Sequence, residues 1–278
     1  MRTFTLTLAL AGVGAIPAAA QTVDGDPYSG VYVGGSIGVA TQSSNGNERV
    51  LFDRNLDGGF GDTVTTAAGA NAFGPGFCPG APRGNAAALG CDNSAGDSDI
   101  EYYGRVGIDH QFGNIVVGAL VEAGKPEITD YVTAFSTTPA SYTFRRKIDF
   151  NGSFRARLGY AADRTLFYAT GGGAYARIDN DFTSTNTANT FTGNDDKDDA
   201  WGFTAGGGVE QRVGALSFGL EYLYTQYRND DFRVRVGQGT APATNPFVLA
   251  PNTTGTDLRR SDDRFDWHSI RATAAFRF

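Results

Sequence analysis

Seven charged residues stand out because each alternates with apolar or glycine positions: Arg105, Glu122, Arg155, Arg157, Glu210, Glu221 and Arg271. At a period of two they share one face of extended segments, with Glu101, Asp109 and Asp149 on the same face. The chemistry such a set offers is ion pairing, since an unpaired charge in a confined apolar surround is costly. Two roles fit: a network that locks the segments together, or a narrow ion path through exchanging salt bridges.

Other candidates are local. Asp53, Asn55 and Asp57 precede Gly58, which is the opening of a calcium loop with oxygen ligands at alternate positions. Its twelfth position is Val64, where a bidentate Glu belongs, so Asp62 would have to fold back to replace it. The other reading is an Asn/Asp/Gly turn cluster. Cys78 and Cys91 are the two cysteines. In an exported loop they predict a disulfide closing a small ring, worth about 3 kcal/mol in the chain-entropy picture. A two-thiolate metal site lacks histidine partners nearby. His268 and Ser269 are adjacent, so a strand sends them to opposite faces, and His110 lies far away in the chain. Neither histidine makes a catalytic base, no serine elbow or zinc motif appears, and the chain reads as a non-enzyme. The run 194–199, Asn-Asp-Asp-Lys-Asp-Asp, reads as a solvated loop tip.

The elements that must position these residues are strands. Gly is abundant at 38 residues, Phe and Tyr are frequent at 20 and 12, and charged residues are low at 19%. Strict alternation marks eight segments: 31–39, 100–109, 117–122, 148–158, 166–177, 201–210, 217–224 and 269–278. The facing of 166–177 is ambiguous. Three connections are tight, at 111–114, 162–164 and 212–215. Four are long and polar, at 41–98, 125–140, 179–199 and 228–262. Short and long alternate strictly, so in an up-and-down barrel all the short turns fall on one rim.

The amino terminus supplies the compartment. Arg2, an apolar stretch from Phe4 to Ile16 and Ala18-Ala19-Ala20 form a secretory signal over 1–20. The barrel domain is then 21–278, with a first outer loop of about 58 residues over 41–98. The net charge of −7 argues against nucleic acid as a partner. No apolar run is long enough for a membrane helix, but a transmembrane barrel escapes that test because lipid-facing and lumen-facing residues alternate. A soluble sandwich would bury the apolar face; a barrel in lipid inverts this. The signal, the turn asymmetry and the aromatic end, RATAAFRF, favour the barrel. The expected fold is all-β: an eight-stranded antiparallel up-and-down transmembrane β-barrel with short periplasmic turns and long extracellular loops.

The stretch GSFRARLGYAADRTLFYATGGGAYARI (152–178) resembles the central hairpin of eight-stranded, OmpA-like and opacity-type outer-membrane proteins, the "porin family". GVYVGGSIG, GFTAGGGVEQ, LEYLY and SIRATAAFRF extend the resemblance to nearly every strand, though not to the long loops. The resemblance implies the outer membrane of a Gram-negative cell, a structural or surface-interaction role such as adhesion or recognition through the loops, and, as the alternative, a narrow channel. It also implies that Phe276 and Phe278 form the carboxy-terminal signal read by the outer-membrane assembly machinery. The expected partners are membrane lipid and lipopolysaccharide, that machinery, and a host or surface ligand. The expected state is a monomer with no cofactor, calcium aside.

Overall fold

A computed structural model of the chain describes residues 27–43, 47–93, 98–194, 197–229, 231–250 and 253–278. The expected signal at 1–20 and the middle of the 194–199 run lie outside the described residues. Among them, no helix is long and apolar enough to cross a membrane. The crossing is made by eight strands: β1 Gly30–Gln42, β2 Ser98–Phe112, β3 Ile115–Pro126, β4 Ser141–Ala162, β5 Thr165–Ser184, β6 Lys197–Val213, β7 Leu216–Arg228 and β8 Arg264–Arg277. Each pairs antiparallel with its chain neighbour, and β8 returns to β1 with Arg277 opposite Tyr32 and Trp267 opposite Gln42. The sheet is closed, so no backbone edge is left to face lipid.

The alternation sets the two faces. Val106, Ile108, Phe154, Leu158, Leu220 and Ile270 are each more than half exposed on the outside, while Glu101, Arg105, Glu122 and Arg155 are at most 5% exposed on the inside. That inversion suits a barrel immersed in hydrocarbon. In β5, the ambiguous strand, Leu166, Tyr168, Thr170, Ala174 and Ala176 point in, and Phe167, Tyr175 and Arg177 point out.

The three short turns are two-residue hairpins, closed by Phe112 opposite Ile115, Ala162 opposite Thr165 and Val213 opposite Leu216. Their first loop residues, Gly113, Asp163 and Gly214, have φ of 61°, 57° and 63°. Positive φ there matches the turn to the right-handed twist of the strands. Asp163 tolerates it because its short polar side chain lowers the penalty.

Two expectations need correction. Asp149 does not face the lumen. The register between β4 and β5 shifts where Arg177 pairs with Phe150 and Ile178 with Ile148, leaving Asp149 as the extra residue of a bulge. Asp149 is exposed, and above it the facing flips, so Ile148, Arg146 and Phe144 turn inward and are buried. The long connections are also not merely polar loops. Val50–Asp53, Thr256–Arg260, Val234–Gly237 and Thr190–Gly193 form a four-stranded sheet from three different loops. Thr129–Phe135, inside the second loop, pairs with the upper part of β4, and Gly76–Cys78 pairs with it in turn. Phe52, Phe73, Val132, Phe144, Val236, Phe247 and Leu258 close a separate apolar core. The outer loops thus fold into a head standing on strands longer than the roughly 9–11 residues needed to span the membrane; β4 and β5 have 22 and 20.

Glycines inside the barrel make room for tyrosine rings. Tyr32 lies directly across from Gly107, where a Cβ would come within 2.3 Å of the ring carbon Cζ. Tyr168 lies across Gly208 in the same way. Gly104, on the same strand as Gly107, has open space around its missing Cβ. Gly107→Ala is expected to lower the temperature at which the compact, fast-migrating band of an unboiled gel sample is lost, and Gly104→Ala to leave it unchanged. Equal behaviour of the two variants would rule out this packing.

Candidate functional site

The lumen is filled by stacked layers. At the centre, Arg271 holds Glu101 by two bonds (Nε–Oε1 2.7 Å, Nη2–Oε2 3.0 Å) and reaches Glu122 at 2.6 Å. Arg105 bridges Glu122 and Glu221, each at 2.8 Å. Arg155 does the same at 3.0 and 3.2 Å. The Tyr168 hydroxyl donates to Glu221 at 3.0 Å, and Arg271 lies 4.0 Å above the Tyr103 ring. Three arginines face three glutamates, so the layer is neutral.

A second layer lies toward the periplasm. Arg277 bonds Glu210 at 2.7 Å and Asp109 at 2.9 Å, and Arg157 bonds Glu210 at 2.5 Å. Tyrosine faces cover both cations: Arg157 sits 4.0 Å from the Tyr168 ring centre and Arg277 4.5 Å from that of Tyr32. The seven charged residues picked out in the sequence therefore divide between two clusters, with Arg157 and Glu210 in the lower one. Glu101, Asp109 and Arg277 complete the layers, and their alternation was already visible in the sequence.

Apolar layers separate the ionic ones from the two ends. Below, Tyr28, Val116, Ala161 and Leu166 pack together, and the Tyr28 hydroxyl donates to the carbonyl of Arg164 at 2.6 Å. Above, Ile148, Ile178, Tyr227, Phe265 and Trp267 pack across the bore. Trp267, Arg155 and Arg271 are at most 1% exposed, so no continuous water-sized passage reaches them.

A third ionic cluster caps the upper apolar layer at the root of the head. Arg260 grips Glu48 through two 2.8 Å bonds and meets Asp130 at 2.6 Å. Arg146 bonds Asp130 at 2.7 Å and Asp262 at 3.2 Å and stacks 4.7 Å from the Phe265 ring. Here two arginines meet three carboxyls. Burial pushes the Glu48 carboxyl up, and the Arg260 pull does not outweigh it. Asp130 is also pushed up by burial, but the Arg260 and Arg146 guanidinium groups bring it below the usual carboxylate range. This cluster was missed in the sequence because its members come from three loops and the flipped end of β4, brought together by the head.

The remaining candidates fall elsewhere. Cys78 and Cys91 are joined as a disulfide with Cα atoms 6.3 Å apart, inside the first loop. The Asp53 carboxylate accepts from the amides of Asp57 and Gly58, Asp57 from that of Gly59, and Asp62 from those of Arg54 and Asn55. The Asn55 amide donates to Asp57 at 3.0 Å. The loop is thus a self-closed turn, and no group of three or more acidic, His or Cys side chains is arranged for a metal among the described residues. His268 faces outward and shares a 2.7 Å hydrogen bond with the Tyr222 hydroxyl, while Ser269 is buried inside. His110 is on the outer face, edge-on to Phe112. Phe276 and Phe278 are outward, with ring centres 5.0 Å apart, and the Phe278 amide donates to the Val31 carbonyl, closing the seam of β8 with β1.

No family model matches the sequence. Over 124 residues the chain is 32% identical to the 31 kDa outer-membrane immunogenic protein of Brucella melitensis, and equally to the protein of that name from Brucella suis. The match takes in 44% of this chain and 51% of theirs, so the chain spans about half the length of the curated relatives it matches. Among solved structures, the outer membrane protein OprG from Pseudomonas aeruginosa is similar with a TM-score of 0.50 over 90% of this chain and 98% of its own, at 13% identity. The fold is that of an eight-stranded outer-membrane barrel. Its place is the outer membrane, with the apolar outer belt as the spanning zone. The outer membrane protease OmpT from Escherichia coli reaches a TM-score of only 0.43 at 8% identity over 94% of this chain and all of its own, which says nothing about catalysis here.

Two predictions follow from this geometry. Glu122 is shared by Arg105, Arg155 and Arg271. Glu122→Gln is expected to cost about 3–5 kcal/mol, the usual loss when one partner of a buried pair goes. It should show as a lower melting temperature in detergent, whereas Arg177→Gln, which breaks the exposed pair with Asp199, leaves the melting temperature unchanged. The root cluster should show in the acid limb. Because Asp130 is lowered in the folded state, its contribution is full above the unfolded carboxylate range and is lost as pH falls below about 5. Glu48 acts in the opposite sense, its share fading as pH rises through its raised value. Asp130→Asn should flatten the acid-side loss of protease resistance in the head; an unchanged acid limb would show that Asp130 does not carry it.

Proposed function

We propose that this protein is a non-conducting, non-catalytic barrel whose role is to hold a folded head at the cell surface for adhesion or recognition. One observation carries the reading: the lumen is closed by ionic and apolar layers, while the four outer connections share a common core above it. The immunogenic designation of the Brucella relatives supports surface exposure of such a protein. The catalytic alternative finds no support in His110 or His268, since both face outward and neither reaches a buried serine or a lumen carboxylate. In the same proposal, Phe276 and Phe278 act as the handle for the assembly machinery, the outer belt contacts membrane lipid and lipopolysaccharide, and the barrel works as a monomer.

The channel reading is the second one. What favours it is the charged lumen, where exchange of partners among Arg105, Arg155 and Glu221 could open a narrow path. Planar-bilayer recording separates the two. Purified protein is expected to give no reproducible unitary steps, and reproducible steps abolished by a lumen substitution would replace the scaffold reading with the channel. Proteinase K applied to intact cells is expected to clip the head, which places it outside.

A further inference from the structure

The head contains a cavity of about 410 Å³ that takes no part in the ionic layers or the root cluster. That volume lies in the range of small-molecule sites, roughly 300–1,000 Å³. All four outer connections contribute to it. Buried rings of Phe73, Tyr142 and Phe247 line it, with centres 5.3–5.8 Å apart and Tyr142 edge to face with both phenylalanines. Its rim carries hydroxyls and amides, among them Thr137, Asn186 and Thr244. No residue lining it is charged, although 19% of the chain is.

The polar groups are fixed in place. The Asn186 amide donates to the Tyr142 hydroxyl and to Asn189 Oδ1, both at 2.9 Å. Asn189 and Asn245 exchange amide hydrogen bonds at 3.1 and 3.3 Å. The Asn186 carbonyl oxygen accepts from the backbone amide of Ala188, and that of Asn245 from Phe247. Because the Tyr142 hydroxyl accepts from Asn186, its own proton is directed elsewhere. Such a preorganised neutral rim does not lose side-chain freedom when a ligand arrives.

Together these features select a class of ligand. An anion or cation would enter a neutral, partly apolar cavity with no counter-charge, which costs desolvation without return. A purely apolar ligand would make no use of the rim hydroxyls of Thr137 and Thr244, which the amide network does not engage. A ligand with one apolar face and several hydroxyls, bearing no charge, satisfies both. We infer that this cavity is a binding site for a neutral saccharide unit, such as an exposed hexose of a surface glycan. The inference rests on the reading that the head faces outward.

The test uses the full-length protein refolded in a sugar-free detergent. Saturation-transfer NMR and calorimetry are run with lactose, maltose and N-acetylglucosamine, and with glucuronic acid as the charged comparison. At least one neutral sugar is expected to bind saturably, with affinity at least tenfold above glucuronic acid. Thr244→Trp places a large side chain from an exposed rim position over the cavity and should weaken that binding at least tenfold without altering the heat-modifiable band. Asn186→Asp, which puts a charge in the rim, should weaken it as well. Absence of saturable binding by all three neutral sugars, or binding indifferent to Thr244→Trp, overturns the assignment. If proteinase K still clips the head on intact cells, only the saccharide site falls; if the head is inaccessible there, the surface reading falls with it.

Discussion

The constraint on which this structure depends is that no backbone polar group can face hydrocarbon unpaired. Eight strands meet it by closing the sheet, with Tyr32 opposite Arg277 at the seam. Closure fixes everything beneath it. A barrel of eight strands has a bore that side chains fill, and the alternation that gives lipid its Val, Ile and Phe sends every intervening residue inward. The inward residues must then satisfy one another. Arginine suits this, since a planar guanidinium can serve two carboxylates at once, as Arg105 serves Glu122 and Glu221. The matched charges of the central and lower layers follow from the cost of leaving any one of them unpaired in a dry interior.

The same packing fills the bore. Apolar layers lie on both sides of the ion pairs, with Trp267 and Ile148 above and Tyr28 and Leu166 below. What remains free to vary is the part outside the membrane. The bulge at Asp149 links the two regimes. Below it, β4 turns Phe150 and Phe154 to lipid; above it, the same strand turns Phe144 and Ile148 inward, toward the head core and the bore. One extra residue therefore converts a lipid-facing stripe into the wall of a water-exposed domain.

The barrel was legible in the sequence because a period of two survives without knowledge of any partner. The pairs Val106 and Arg105, or Leu158 and Arg157, declare their opposite faces from adjacency alone, and the three short turns announce which rim they share. The head was not legible for the converse reason. Its core residues come in short apolar groups, such as 50–52 and 247–249, or singly like Phe73, separated by long polar and Gly-rich stretches and too short to show a period. The lumen list failed at Asp149 because a bulge leaves no mark on alternation until the pairing register is known. It missed the cluster of Glu48, Asp130, Arg146 and Arg260 because those residues become neighbours only after four separate segments have folded. The calcium motif is ambiguous in the sequence for a different reason, since Asn, Asp and Gly at those spacings close a turn with their own backbone amides as readily as they hold an ion.

The head also accounts for where the root cluster lies. Arg146 lies beyond the bulge, on the part of β4 that belongs to the head, yet it stacks on Phe265 at the top of the bore. Arg260 ends one strand of the head sheet, and Asp130 is the second residue of the strand that lies along β4, directly opposite Arg146. The cluster is thus the joint between two cores that the chain builds separately. The two parallel bonds from Arg260 to Glu48 lie within the head, where Arg260 pairs with Val50, and Asp130 joins that pair to Arg146 on β4. Charge pairing through Asp130 and Asp262 thus ties the head to Arg146 of β4, and the apolar cores on either side supply the adhesion that charge pairing alone does not.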